Sequence, residues 1–124
     1  MELAKRLRRV IEKTTQGGHI VTITFVKKDG SVRRMNGRPS DQIKKGKTGV
    51  GMAYDPKEYN LIPFLDMDIV RKETENLRKE VKRDPTDRER DQIAKKAFRM
   101  INLETVTEIR GEGKILYSKI EVIS

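Results

Sequence analysis

The stretch that decides the fold runs from His19 to Asn36 and reads HIVTITFVKKDGSVRRMN. Its first half alternates apolar side chains and is rich in β-branched residues, as is typical of a strand. Asp29-Gly30 follows, and this dipeptide is the strongest short signal for a two-residue hairpin turn. We therefore predict a β-hairpin whose returning strand covers Ser31 to Asn36.

The residues before the hairpin predict an amphipathic helix over residues 2–16. Most of the positions outside its apolar face are Lys or Arg, so its outer face is basic. Gly17-Gly18 ends the helix, because glycine readily adopts the left-handed conformation found past a helix end. The apolar face recurs at helical spacing and consists of Leu3, Leu7, Val10 and Ile11.

The chain after the hairpin first shows weak strand patterns. A Gly- and Lys-rich connection at residues 37–49 opposes any long regular element. A short strand is predicted at Val50–Tyr54 and an apolar strand at Asn60–Met67. Pro63 restricts the second strand to a sheet edge or a bulge, because proline cannot donate to a ladder.

Residues 68–97 predict a helical hairpin inserted between strands. Asp68 is expected to cap the first helix, while Asp84 caps the second and Pro85 occupies its first turn. The segment holds 10 Lys/Arg and 8 Asp/Glu, which nearly cancel. Opposite charges at helical spacing are typical of a solvated face with local pairs. One apolar seam follows the first helix: Met67, Val70, Thr74, Leu77 and Val81.

Strand patterns return at Phe98–Leu103, Val106–Arg110 and Lys114–Ile123. The predicted fold class is α+β, with short antiparallel strands that close into a small SH3/Sm-like barrel, since closure removes exposed edges. With 124 residues the chain is long enough for one domain. We assign its parts as the helix at 2–16, barrel strands within 19–67 and 98–123, and the helical insertion at 68–97.

A series of short motifs begins within the hairpin and continues along the chain in a fixed order. They are Lys27-Lys28-Asp29-Gly30, Met35-Asn36 with Arg38, Lys45-Gly46, Asp66-Met67, and Phe98-Arg99. The order of these motifs resembles that in small bacteriophage-encoded proteins with an Sm-like, SH3-type β-barrel. This group is sometimes placed with WYL-like domains. The N-terminal helix and the inserted hairpin depart from that pattern. The resemblance implies the barrel fold and a phage origin, but little about function.

The positive charge is concentrated at one end of the chain. The formal net charge is +9, and residues 1–48 hold 13 Lys/Arg against 4 Asp/Glu. Residues 49–124 hold 15 of each sign. Such a field attracts a polyanion or an acidic protein face. The alternative is that these side chains only keep a small protein soluble.

Sequence motifs for catalysis are incomplete. The chain has no cysteine and one histidine, His19, so a Cys/His pair is excluded and a catalytic triad has no support. Gly46-Lys47-Thr48 fits a phosphate-binding loop only with glycine at position 41, which is Asp41. Asp66 and Asp68 are explained by a strand end and a helix cap rather than by Mg²⁺. We therefore predict no enzyme activity, no cofactor and no metal.

Nucleic acid, RNA or DNA, is the first predicted partner. Phosphate contacts require a cluster of cations. Aromatic residues make up only 5% of the chain, so base stacking is limited, and Tyr54 and Tyr59 are the candidates for it. The predicted contact residues are Lys27, Lys28, Arg33, Arg34, Arg38, Lys44, Lys45, Lys47 and Tyr54.

Two alternatives remain open. The helical insertion is a plausible arm for binding and modulating a host protein, or for self-association into a homo-oligomer. The Gly- and Lys-rich loop is a plausible site for a small anionic nucleotide. The residues predicted to bind a protein partner are Val70, Leu77, Val81, Arg78 and Arg88.

The sequence predicts a cytoplasmic protein, in the host cell if it is phage-encoded. No run approaches the roughly 20 apolar residues that a membrane span needs. The first residues lack the continuous apolar core of a signal peptide.

Overall fold

The computed structural model describes residues 2–40 and 60–119. Within these residues the chain forms three α-helices and six strands. In chain order they are α1 (Glu2–Thr14), β1 (Val21–Val26), β2 (Val32–Pro39), β3 (Leu61–Asp66), α2 (Met67–Val81), α3 (Asp87–Ala97), β4 (Phe98–Asn102), β5 (Val106–Gly111) and β6 (Lys114–Ser118). The strand predicted at Val50–Tyr54 lies outside the described residues, and so does the end of the segment predicted at Lys114–Ile123.

The six strands form one antiparallel sheet in the order β4-β3-β2-β1-β5-β6. The α+β class, the N-terminal helix and the two-helix insertion are confirmed. The closed barrel is wrong: β4 and β6 are the edges of the sheet, and no ladder joins them within residues 2–40 and 60–119.

The core explains why the sheet stays open. Leu7 and Ile11 of α1 pack with one face of the sheet in a single buried cluster that includes Ile23, Met35 and Ile109. Each such side chain stabilises the fold by about 1.5–3 kcal/mol when fully buried. Because the helix covers this face, the sheet can bury its apolar side chains in two layers without rolling up on itself.

The predicted hairpin is confirmed, with a different turn. β1 and β2 pair from Val21 opposite Gly37 to Val26 opposite Val32. Lys27 and Ser31 close a three-residue loop, since the Lys27 amide donates to the Ser31 carbonyl at 2.8 Å. Gly30 has φ +88°, while Asp29 is not left-handed, so a two-residue turn is wrong.

β3 is an inner strand, which corrects the prediction made from Pro63. It pairs with β2 on one side and with β4 on the other. The Pro63 carbonyl accepts from the Ser40 amide at 3.0 Å, so the imide nitrogen of Pro63 faces the same side. β2 ends there at Pro39. The missing N–H therefore leaves the ladder with β4 intact.

The helix caps differ from the predicted ones by two residues. Asp66, rather than Asp68, caps α2, because its Oδ1 accepts from the amides of Asp68 at 3.0 Å and Ile69 at 3.3 Å. Thr86, rather than Asp84, caps α3 in a capping box with Glu89. Each observed cap directly precedes its helix, where the first unpaired amides are within reach.

Candidate nucleic-acid interface

Alternation along β2 sends two neighbouring arginines to opposite faces of the sheet. Arg33 lies opposite Phe25, on the face that α1 covers, and Arg34 lies opposite Thr24 on the other face. Arg33 Nη2 is 3.4 Å from Asp66 Oδ2, and the Asp66 side chain is 7% exposed. Arg33 therefore supports the fold and does not join the surface formed by Arg34.

We call the sheet face opposite α1 the outer face. Arg34 and Arg38 both lie on it, because they are separated by four residues along β2. Asn36 lies between them on the same face and pairs with Thr22 of β1. Because Thr22 also pairs with Arg110 of β5, Arg110 lies on the outer face as well. Arg110 was not among the predicted residues. Only the long-range pairing of β1 with β5 brings it to this face.

One carboxylate on the outer face serves two arginines. Glu108 Oε1 is 2.9 Å from Arg110 Nε and 3.8 Å from Arg34 Nη2. Two cations and one anion leave this group with a net positive charge. The Arg34 and Arg110 side chains remain 63% and 51% exposed, so both can also reach a ligand in solvent.

Lys27 and Lys28 lie at the exposed tip of the hairpin. Asp29 shares the turn, and its carboxylate accepts from the hydroxyl of Ser31 at 2.6 Å and from its amide at 2.9 Å. These hydrogen bonds lower the pKa of Asp29, which is therefore ionised at neutral pH. The tip has two cations and one anion, and so a small positive excess.

Four of the predicted contact residues lie outside the described residues: Lys44, Lys45, Lys47 and Tyr54. Residues 41–49 of the loop suggested for a small anionic nucleotide lie there too, whereas residues 37–39 of that predicted connection belong to β2. In the described ranges, Phe64 is buried and Phe25, Phe98 and Tyr117 are half-buried. None of these four residues is in the exposed class, so base stacking has little support in the described part of the interface.

The charges of the helical insertion largely neutralise each other. Arg78 Nε is 3.1 Å from Asp84 Oδ1, and Lys96 Nζ is 3.2 Å from Glu73 Oε1. Arg83 Nη1 contacts Glu89 Oε1 at 2.7 Å. The hydrogen bond from Arg83 lowers the pKa of Glu89 to about 2. Such local pairs stabilise a solvated helical surface.

Of the five residues predicted to bind a protein partner, three are half-buried and two are exposed. Val70, Leu77 and Val81 are half-buried in the apolar seam of α2, which packs against α3. Arg78 is held by Asp84. Arg88 is exposed and forms no ion pair with any described residue. The structure thus brings the seam together but does not gather all five residues on one open face.

A shallow groove of about 540 Å³ lies beside the β5–β6 turn. Ile20 and Ile115, both exposed apolar residues, line it together with Arg110 and Lys114. Glu112 is the one carboxylate among its described lining residues, which include no histidine.

Within the described ranges no three His, Asp, Glu or Cys side chains come close enough to hold a metal ion. None of the described helices is both long enough and apolar enough to cross a bilayer. Comparisons with protein-family models, with curated proteins and with solved structures give no match.

Proposed function

We propose that the protein is a non-enzymatic binding module that contacts nucleic acid, RNA or DNA, through its first hairpin. The contact surface, which we call the hairpin surface, consists of Lys27, Lys28, Arg34 and Arg38. The observation that carries the proposal is the placement of Arg34, which is exposed, and Arg38, which is half-buried, on the same face of β2. Arg38 forms no ion pair with any described residue, and the one described carboxylate that pairs with Arg34, that of Glu108, also pairs with Arg110.

The spacing of these cations suits a phosphate backbone. Arg34 and Arg38 are four strand residues apart, or about 13 Å. One strand of a duplex carries a phosphate every 3.4 Å or so along the axis, so the two guanidinium groups reach separate phosphates. Arginine binds phosphate oxygens through two parallel N–H donors. Because no exposed aromatic ring accompanies them in the described ranges, we expect affinity with little base preference.

Equilibrium binding to a fluorescent oligonucleotide of mixed sequence tests the proposal. Lys27→Ala, Lys28→Ala, Arg34→Ala and Arg38→Ala are combined in one variant. We expect it to bind at least about tenfold more weakly than the wild type at low salt, because four phosphate contacts are lost. The matched control removes the same charge from exposed residues of the insertion, at Lys72, Lys79, Arg88 and Lys95.

The control variant should retain its affinity within about twofold, since distant surface charges act only through a screened field. Equal losses in the two variants would show that net charge alone, and not the hairpin surface, attracts the oligonucleotide. A wild-type protein that fails to bind either RNA or DNA at low salt would overturn the proposal.

The host-protein alternative has weaker support. Its charged residue Arg78 is already paired with Asp84, and its seam residues Val70, Leu77 and Val81 are half-buried. Arg88 is the one predicted side chain of this set that is both exposed and without an ion pair to a described residue. A protein captured from nuclease-treated host lysate by the wild type, and lost with Arg88→Ala, would favour this alternative.

A further inference from the structure

The solvent-facing side of α1 carries a second group of cations, which we call the helix stripe. Its members are Lys5, Arg6, Arg9 and Lys13, and all four are exposed. At 100° per residue they fall within an arc of about 100° around the helix axis. They therefore form one continuous surface rather than a ring around the helix.

The helix stripe is available for a ligand. None of its four side chains forms an ion pair with a residue in the described ranges. Arg8 behaves differently: it leans toward the sheet, where its Nη2 donates to the carbonyl of Leu61 at 2.7 Å. The helix thus uses one cation for packing and presents the other four to solvent.

The helix stripe and the two arginines of the hairpin surface, Arg34 and Arg38, face away from each other. α1 buries Leu7 and Ile11 against the face of the sheet that holds Ile23, so the opposite side of the helix points outward. Arg34 and Arg38 project from the other face of the sheet. A helix diameter of about 10 Å and a layer spacing of about 10 Å separate the two surfaces by roughly 20 Å. A straight segment of nucleic acid cannot contact both.

The length of the helix stripe fits a short run of phosphates. Lys5 and Lys13 are eight residues apart, or about 12 Å along the axis. One strand of a duplex presents three to four phosphates over about that distance. Four cations that pair with no described residue therefore meet a similar number of negative charges.

We propose that the helix stripe is a second phosphate-backbone site, and that one protein molecule bridges two segments of nucleic acid. The inference rests on the proposed function, because the hairpin surface supplies the other contact. Bridging follows from the opposed placement of the two surfaces and requires no dimer.

Two non-complementary oligonucleotides of about 20 nucleotides, one with a donor dye and one with an acceptor, test the bridging. Each pair is made once as DNA and once as RNA. We expect energy transfer to rise as wild-type protein is added and to fall when protein is in excess, because each strand then binds its own protein. The helix-stripe variant combines Lys5→Gln, Arg6→Gln, Arg9→Gln and Lys13→Gln.

This variant should lose the energy transfer but still bind a single labelled strand through the hairpin surface. The matched control, with glutamine at positions 72, 79, 88 and 95, should bridge like the wild type. A thermal melt close to that of the wild type establishes that the helix-stripe variant is folded. Sedimentation of the free protein reports whether it is a monomer.

The failures are distinguishable. If the wild type binds single strands but never transfers energy, or if the helix-stripe variant bridges normally, the inference is wrong and the proposed function stands. If the hairpin-surface variant binds like the wild type while the helix-stripe variant does not bind, the proposed function is wrong, and so is bridging by two sites. If transfer occurs only with a dimer, bridging by a single molecule is wrong.

Discussion

Arg33 and Asp66 form an ion pair of 3.4 Å on the side of the sheet that faces α1. Asp66 also caps α2 through Oδ1, so a single buried carboxylate joins the second strand, the third strand and the helical insertion. The neighbouring Arg34 projects from the opposite face. The two neighbouring arginines of β2 therefore have different roles: Arg33 stabilises the fold, and Arg34 lies on the surface.

This division predicts opposite effects for adjacent substitutions. Arg33→Gln should lower the free energy of unfolding by about 1 kcal/mol, because Asp66 loses a charged partner beside a half-exposed guanidinium. It should leave oligonucleotide affinity unchanged. Arg34→Gln should weaken binding severalfold and change stability by less than about 0.5 kcal/mol. Urea denaturation and oligonucleotide titration of both variants check this, and a reversed pattern would contradict the assignment of faces.

The cap of α2 predicts unequal roles for two aspartates. Asp66→Ala should cost about 1–2 kcal/mol, since the amides of Asp68 and Ile69 lose their acceptor. Asp68→Ala removes an exposed hydrogen bond from Asn36 at 3.0 Å and should cost about 0.5 kcal/mol. Chemical denaturation measures both. A larger loss of stability from Asp68→Ala than from Asp66→Ala would contradict the assignment of the cap to Asp66.

Gly37 is required where β2 meets β3. A Cβ at this position would overlap the carbonyl oxygen of Leu65 and lie 2.7 Å from Cε2 of Phe64. Gly37→Ala should therefore destabilise the protein by about 1–3 kcal/mol, because backbone and ring must both move. Gly113 is the control: its φ is +76° but nothing lies near a Cβ there.

Gly113→Asn should change the unfolding free energy by less than about 1 kcal/mol, since asparagine tolerates the left-handed region. Thermal or urea denaturation compares the two variants. Equal costs would show that the close approach at Gly37 relaxes easily.

Glu89 makes the start of α3 sensitive to acid. Its pKa lies at about 2 instead of 4.5, chiefly because Arg83 donates a hydrogen bond to its carboxylate. A lowered pKa means that the ionised form stabilises the folded state. This contribution is present above about pH 4.5 and is lost as the pH falls through about 2. A carboxyl NMR titration measures the pKa directly.

Arg83→Gln should move the pKa of Glu89 up toward 4.5 and weaken the capping box between Thr86 and Glu89 in mild acid. A wild-type Glu89 that already titrates at its ordinary value would mean that the contact with Arg83 does not persist in solution.

Local signals predict the elements of this fold well. Asp29-Gly30 identifies the first hairpin, and the spacing of the seam from Met67 to Val81 identifies α2. The faces of β2 also follow from alternation, so the separation of Arg33 from Arg34 is predictable from the period of a strand. The prediction that Arg33 and Arg34 contact the same nucleic acid did not take this alternation into account.

Long-range pairing accounts for what local signals do not predict. Arg110 reaches the outer face only because β5 pairs with β1, which places Thr22 beside it. The open sheet depends on how fully α1 covers the core, through residues such as Leu7 and Ile11. Neither relation has a signal in the spacing of neighbouring residues, since both join segments far apart in the chain.

The salt dependence of oligonucleotide binding tests the central claim most directly. For a single strand the slope of log K against log salt is about −0.7 for each phosphate contacted. We predict a steep wild-type slope that becomes shallower by nearly 3 when Lys27, Lys28, Arg34 and Arg38 are replaced together, while the insertion control keeps the wild-type slope. A wild-type slope near zero, or the same slope in the hairpin-surface variant, would contradict binding through these residues.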